Sequence, residues 1–188
     1  MKMKLLFLLM TVSLAAQNFE VGLNVSNQKY SGTSSHNIYP TPDISNSYDS
    51  KIVVAARLGY SLIDIGPALF QITAVYQPRV DTNSGSNSVY GPSKLGTEYL
   101  GLGGMFNFKS ACAFGAGVDV RSEKSTYPRF SGDPTSNSYV RPWARLNVGY
   151  ASPSPLIKPF AYFEVSAPLI QKDNSASLQF GIYAGIRF

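Results

Sequence analysis

SLQFGIYAGIRF, residues Ser177 to Phe188, decides the fold. Phe188, Ile186, Ala184, Ile182, Phe180 and Leu178 share one parity, and Arg187, Gly185, Tyr183, Gly181 and Gln179 share the other. Side chains alternate faces along an extended strand, so this stretch is a ribbon with one apolar face and one polar or small face. A helix would scatter both sets around its axis.

Seven earlier segments repeat the pattern. Phe19 to Ser26 sets Phe19, Val21, Leu23 and Val25 against Glu20, Gly22 and Asn24. Lys51 to Ile63 sets Ile52, Val54, Ala56, Leu58, Tyr60 and Leu62 against Arg57, Gly59 and Ser61. Ala68 to Gln77, Thr97 to Phe108, Ala111 to Arg121, Tyr139 to Ala151 and Phe160 to Pro168 complete the set. They run from 8 to 13 residues, about the length a tilted strand needs to cross a bilayer. Eight segments make the even count that a single-chain transmembrane barrel requires.

The apolar faces carry no charge in their central band; Glu98, the exception in parity, sits at a strand end. A Lys or Arg facing lipid at mid-bilayer costs roughly 2–4 kcal/mol, whereas a soluble sandwich buries its apolar face and shows charges outside. The second face holds Gly, Ser, Asn, Gln, Tyr and a few charges, the composition of a crowded polar lumen. The connections alternate: long over Asn27 to Ser50, Pro78 to Gly96 and Ser122 to Ser138, short over Asp64 to Pro67 and Lys109-Ser110. Ser152 to Pro159 and Leu169 to Ala176 differ less from each other. Long outside and short inside is the barrel pattern, with both termini on the periplasmic side. The outward aromatics at that end, Phe19, Tyr60, Phe70, Phe108, Phe114, Tyr150 and Phe188, are predicted to form one interfacial girdle. Pro142 falls inside the sixth segment, where an interior Pro marks a bulge or lies above the membrane, and it is placed near the extracellular rim.

Ahead of the first strand, Lys2 and Lys4 precede an apolar run, Leu5 to Ala16, that is too short for a spanning helix. Small residues Ser13 and Ala15 then predict a signal peptide over 1–15, with cleavage after Ala16 as the alternative, and a barrel domain over 16–188. Removing two lysines from 16 basic residues leaves 14 against 11 acidic ones, a net charge of +3. These charges are scattered, so the nucleic-acid-binding class is excluded. The single Cys, Cys112, cannot form an intramolecular disulfide.

This architecture and its last strand resemble the eight-stranded outer-membrane β-barrels of Gram-negative bacteria, the OmpA and OmpX type. The resemblance implies an all-β, eight-stranded, antiparallel up-and-down transmembrane barrel in the bacterial outer membrane. It implies contact with outer-membrane lipid and lipopolysaccharide, and a monomer. It also implies recognition by the barrel-assembly machinery through Phe188 and Ile186, with Phe180 further in. Tyr183 stands where that signal commonly has Gly.

The lumen-facing charges are Glu20, Asp119 and Glu164 with Arg57, Arg121, Arg141, Arg145 and Arg187. Antiparallel neighbours suggest three pairs: Glu20 with Arg187, Glu164 with Arg145, and Asp119 with Arg141. Eight strands leave an interior just wide enough for side chains, so these charges are read as a structural plug; the alternative is an arginine-lined passage for small solutes. A lipid-A-modifying enzyme is the second alternative. It would need the lone His36, beside Ser34 and Ser35 with Asp43 and Asp49 in the same polar loop, to be oriented by an acid, and the sequence fixes none of them. One His and one distant Cys are no metal-ligand set, and no cofactor is expected. The expectation is a non-enzymatic protein with a structural or surface-interaction role through loops carrying Tyr30, Tyr39, Tyr48, Tyr90, Tyr127 and Phe130.

Overall fold

The computed structural model describes residues 19–31, 48–83, 94–108, 112–127, 135–152, 157–172 and 174–188. The signal segment 1–15, the Lys109-Ser110 turn, and His36 with Ser34, Ser35, Tyr39 and Asp43 lie outside the described residues, as do Tyr90, Phe130 and the side chain of Tyr127. Eight strands follow one another in chain order: β1 (Phe19–Ser31), β2 (Lys51–Ile65), β3 (Ala68–Asn83), β4 (Lys94–Phe108), β5 (Ala113–Tyr127), β6 (Thr135–Ala151), β7 (Lys158–Pro168) and β8 (Ser175–Arg187). Each pairs antiparallel with the next, and β8 returns to β1, so the sheet closes into an up-and-down barrel. The closing seam runs from Glu20↔Arg187 to Ser31↔Ser175, and the amide of Phe188 donates to the carbonyl of Phe19 at 2.9 Å. Closure leaves no sheet edge in the apolar zone, where an unpaired backbone group costs several kcal/mol.

The burial pattern is inside-out. Leu23, Leu58, Leu102, Leu146 and Ile182 point outward with more than half of their surface exposed. Glu20, Gln71, Asp119, Arg121 and Arg145 are fully enclosed. A water-soluble barrel of this size would invert both sets, because the hydrophobic effect drives apolar area out of water. The outer wall therefore faces a hydrocarbon solvent. At the loop end the outward-facing Glu98 and Lys124 sit opposite each other on β4 and β5, 3.5 Å apart. The aromatic set lies at the opposite, turn end: Phe19 contacts Tyr60 edge-on at 5.1 Å, and Phe108 stacks on Phe114 at 5.2 Å.

Several strands run longer than the apolar alternation predicts. β3 continues from Gln77 to Asn83, β5 from Arg121 to Tyr127, and β6 begins at Thr135 rather than Tyr139. Backbone hydrogen bonding does not need an apolar outer face, so the ladders persist where the wall has turned polar. The irregularities collect towards the ends, with register shifts at Lys29/Tyr30, Ser61/Ile63 and Gln77/Val80. Pro142 makes no bulge against β5, where it faces Val120 in regular register. Its carbonyl accepts the Leu169 amide at 2.9 Å, so its missing N–H also points towards β7, which ends at Pro168. The absent donor thus falls just past the end of a ladder. Gly66 takes φ +55° in the β2–β3 turn, which a side chain would resist.

Candidate functional site in the barrel lumen

The strand register stacks the inward side chains in layers. At the turn end, Glu20 takes a hydrogen bond from Arg187 Nε at 3.0 Å, one from Gln71 Nε2 at 2.9 Å and one from Tyr183 Oη at 2.6 Å. Tyr183 can lie flat there because Gly22 lacks a side chain; a Cβ on Gly22 would sit 2.5 Å from the Tyr183 ring. Arg57 then covers the other part of that ring, with its guanidinium carbon 4.2 Å from the centroid.

In the middle, Glu164 is held in a fork by Arg57, with both N···O distances at 2.7 Å. It also accepts from Arg145 at 3.1 Å and from Asn24 at 2.9 Å. Arg145 reaches across to Asp119 at 2.7 Å, and Asp119 takes a longer contact of 3.2 Å from Arg121. Bidentate guanidinium–carboxylate geometry makes these charge-assisted bonds the strong ones. Arg121 is sandwiched between aromatic faces, 4.5 Å from the Tyr99 centroid and 4.1 Å from that of Trp143. Its Nη1 donates to Gln179 Oε1 at 2.8 Å, and Gln179 Nε2 donates to Gln77 at 3.0 Å and to Gln28, extending the network across the bore.

The loop end is closed by a group the sequence reading missed. Arg141 was expected to pair with Asp119; instead it forks onto Glu123 at 2.7 Å through both nitrogens. The cause is the length of β5. Its inward alternation runs on past Arg121, so Glu123 enters the lumen opposite Tyr139, while Asp119 faces Trp143 and is taken by Arg145. The parity Asp119, Arg121, Glu123 carried this signal; ending the strand at Arg121 discarded it. Trp143 Nε1 also donates to Glu123, and Arg141 reaches the carbonyls of Ile170 and Ala176, tying the wall to the β7–β8 connection. The Glu20–Arg187 and Glu164–Arg145 contacts are both present.

The other residues singled out from the sequence lie elsewhere. Phe19, Tyr60, Phe70, Phe108, Phe114 and Tyr150 are on the outer wall at the turn end, away from the lumen network. Ile186 and Phe188 end the closing seam, whereas Phe180 faces outward nearer the loop end, beneath Lys29. Among the described residues, no group of His, Cys, Asp or Glu is arranged to hold a metal ion.

An inside-out, closed, eight-stranded antiparallel sheet around a bonded polar lumen defines a transmembrane β-barrel of the outer-membrane class. No family model matches the chain, and no curated protein matches it in sequence. Its structure is similar to the crystal structure of Neisserial surface protein A, with a TM-score of 0.54 at 12% identity, over 90% of this chain and 97% of that one. It is also similar to Ail, the attachment invasion locus protein of Yersinia pestis, solved in complex with the heparin analogue sucrose octasulfate. There the TM-score is 0.50 at 13% identity, over 91% of this chain and 97% of that one. At such identities the likeness is one of fold.

Proposed function

We propose that the protein is a non-enzymatic integral barrel of the bacterial outer membrane whose lumen is a structural plug and whose interactions are made by its loop end. The observation that carries this reading is the connectedness of the interior. Among the described residues the four buried carboxylates, Glu20, Asp119, Glu123 and Glu164, are all bonded to arginines. Charges tied across the bore at every layer bar a continuous water column, and an eight-stranded barrel has no width to spare. A rigid scaffold that does no chemistry inside leaves function to its loops. The complex of Ail with a sulfated ligand is a precedent for the fold presenting a binding surface. Lipopolysaccharide around the wall, insertion through the assembly machinery and a monomeric state belong to the same proposal.

Planar-bilayer recording on the refolded protein tests it. The expected record is a closed baseline over the working voltage range. Steady unitary currents that survive purification would replace the plug with the narrow-conduit reading.

A further inference from the structure

The lumen charges do not balance. Among the described residues five buried arginines, Arg57, Arg121, Arg141, Arg145 and Arg187, face four buried carboxylates, Glu20, Asp119, Glu123 and Glu164. The surplus can be located. At the turn end Arg187 and Glu20 neutralise each other, and at the loop end Arg141 and Glu123 do so. Between them Arg57, Arg121 and Arg145 share only Asp119 and Glu164. One positive charge is therefore left on these three arginines, between the two neutral pairs.

Hydrogen-bond donors follow the same division. The Nε–H of Arg141 is spent on Glu123 at 2.7 Å and that of Arg187 on Glu20 at 3.0 Å. The Nε–H groups of Arg57, Arg121 and Arg145, the three that share the surplus, are buried and find no acceptor among the described protein atoms. Gln77 Nε2, two bonds along the network from Arg121, is in the same condition. A buried donor without an acceptor and a buried charge without a counter-charge are each costly, and both shortages fall on the same three arginines.

We infer that the middle of the lumen binds one small monovalent anion of the halide class, as a resident counter-ion to Arg57, Arg121 and Arg145. This goes beyond the plug reading and rests on it, since an open bore would exchange ions freely. The surplus of one charge sets the valence. The size follows from a bore that side chains already fill, which favours a monatomic ion over an organic acid. Water would supply an acceptor but would leave the charge uncompensated.

The test is thermal unfolding of the refolded barrel in detergent, with chloride or bromide against gluconate at equal ionic strength. Ligand linkage predicts a midpoint rising by roughly 3–6 °C for each tenfold increase in halide above its dissociation constant, with no such rise in gluconate. Arg121→Gln, which balances the lumen and keeps an amide for Gln179, should lose the halide dependence. Arg79→Gln, at an exposed pair with Asp81, should keep it. Equal midpoints in halide and gluconate would overturn the inference. Should Arg121→Gln not fold, crystals of the unaltered protein grown in bromide decide the matter. An anomalous peak beside the Nε atoms of the middle arginines supports the ion, and density there without one means water and overturns it. A halide-independent barrel that stays closed in bilayers loses the ion and keeps the plug. A steady halide current removes both.

Discussion

Replacing Glu164 by Gln probes whether the lumen is dry. Glu164 accepts two bonds from Arg57 at 2.7 Å, one from Arg145 at 3.1 Å and one from Asn24 at 2.9 Å, and it is 3% exposed. The amide keeps the shape but turns one acceptor oxygen into an NH2 that faces a guanidinium, donor against donor. It also leaves three carboxylates against five arginines. Opposite charges about 4 Å apart attract by about 1 kcal/mol in water and about 4 kcal/mol at an effective dielectric near 20. Breaking a buried pair from one side costs about 3–5 kcal/mol, whereas an exposed pair is worth about 0–1 kcal/mol. The expected loss is therefore about 3–5 kcal/mol, read as a lowered urea midpoint for the barrel in lipid vesicles. The chain's single tryptophan, Trp143, is fully buried against the same network and reports unfolding by its fluorescence. Arg57→Met combined with Glu164→Leu should recover part of the loss, because the surplus returns to one charge while Arg145 and Asn24 still lose an acceptor. A cost below about 0.5 kcal/mol for Glu164→Gln would mean that water screens the bore, and the plug would have to be abandoned.

Two further outcomes bear on the wall and the closing strand. Leu102→Arg places a charge on the outer face of β4, at a side chain 61% exposed; it should cost about 2–4 kcal/mol in lipid vesicles, and a negligible cost there would argue that this face meets water. Phe188→Ala should lower the amount of barrel assembled in cells while the urea-unfolded chain still refolds in detergent, and equal loss in both assays would assign Phe188 to stability at the seam rather than to recognition.

Much of the architecture was legible in the chain because side-chain parity is a local property. Ser177 to Phe188 and its seven counterparts declare which residues face out, whatever the neighbouring strand turns out to be. The lumen was only half legible, for the same reason. Parity says that Arg57, Arg121 and Arg145 point inward, but not which carboxylate each one meets, since that depends on shear between strands and on reach across the bore. Arg57 meets Glu164 although 107 residues separate them, and no spacing rule connects the two. Glu123 was lost to a boundary, because the apolar alternation fades near Arg121 while backbone pairing continues to Tyr127.

By itself, then, the sequence determined an inside-out strand pattern and the inward charges other than Glu123, because alternation along a strand is set by backbone geometry alone. Only the closed tertiary structure decided which charges neutralise one another and where one positive charge is left over. Those pairings are made across the barrel, between residues that no local pattern brings together, and in a bore of low dielectric they govern the cost of every charge that goes unmatched.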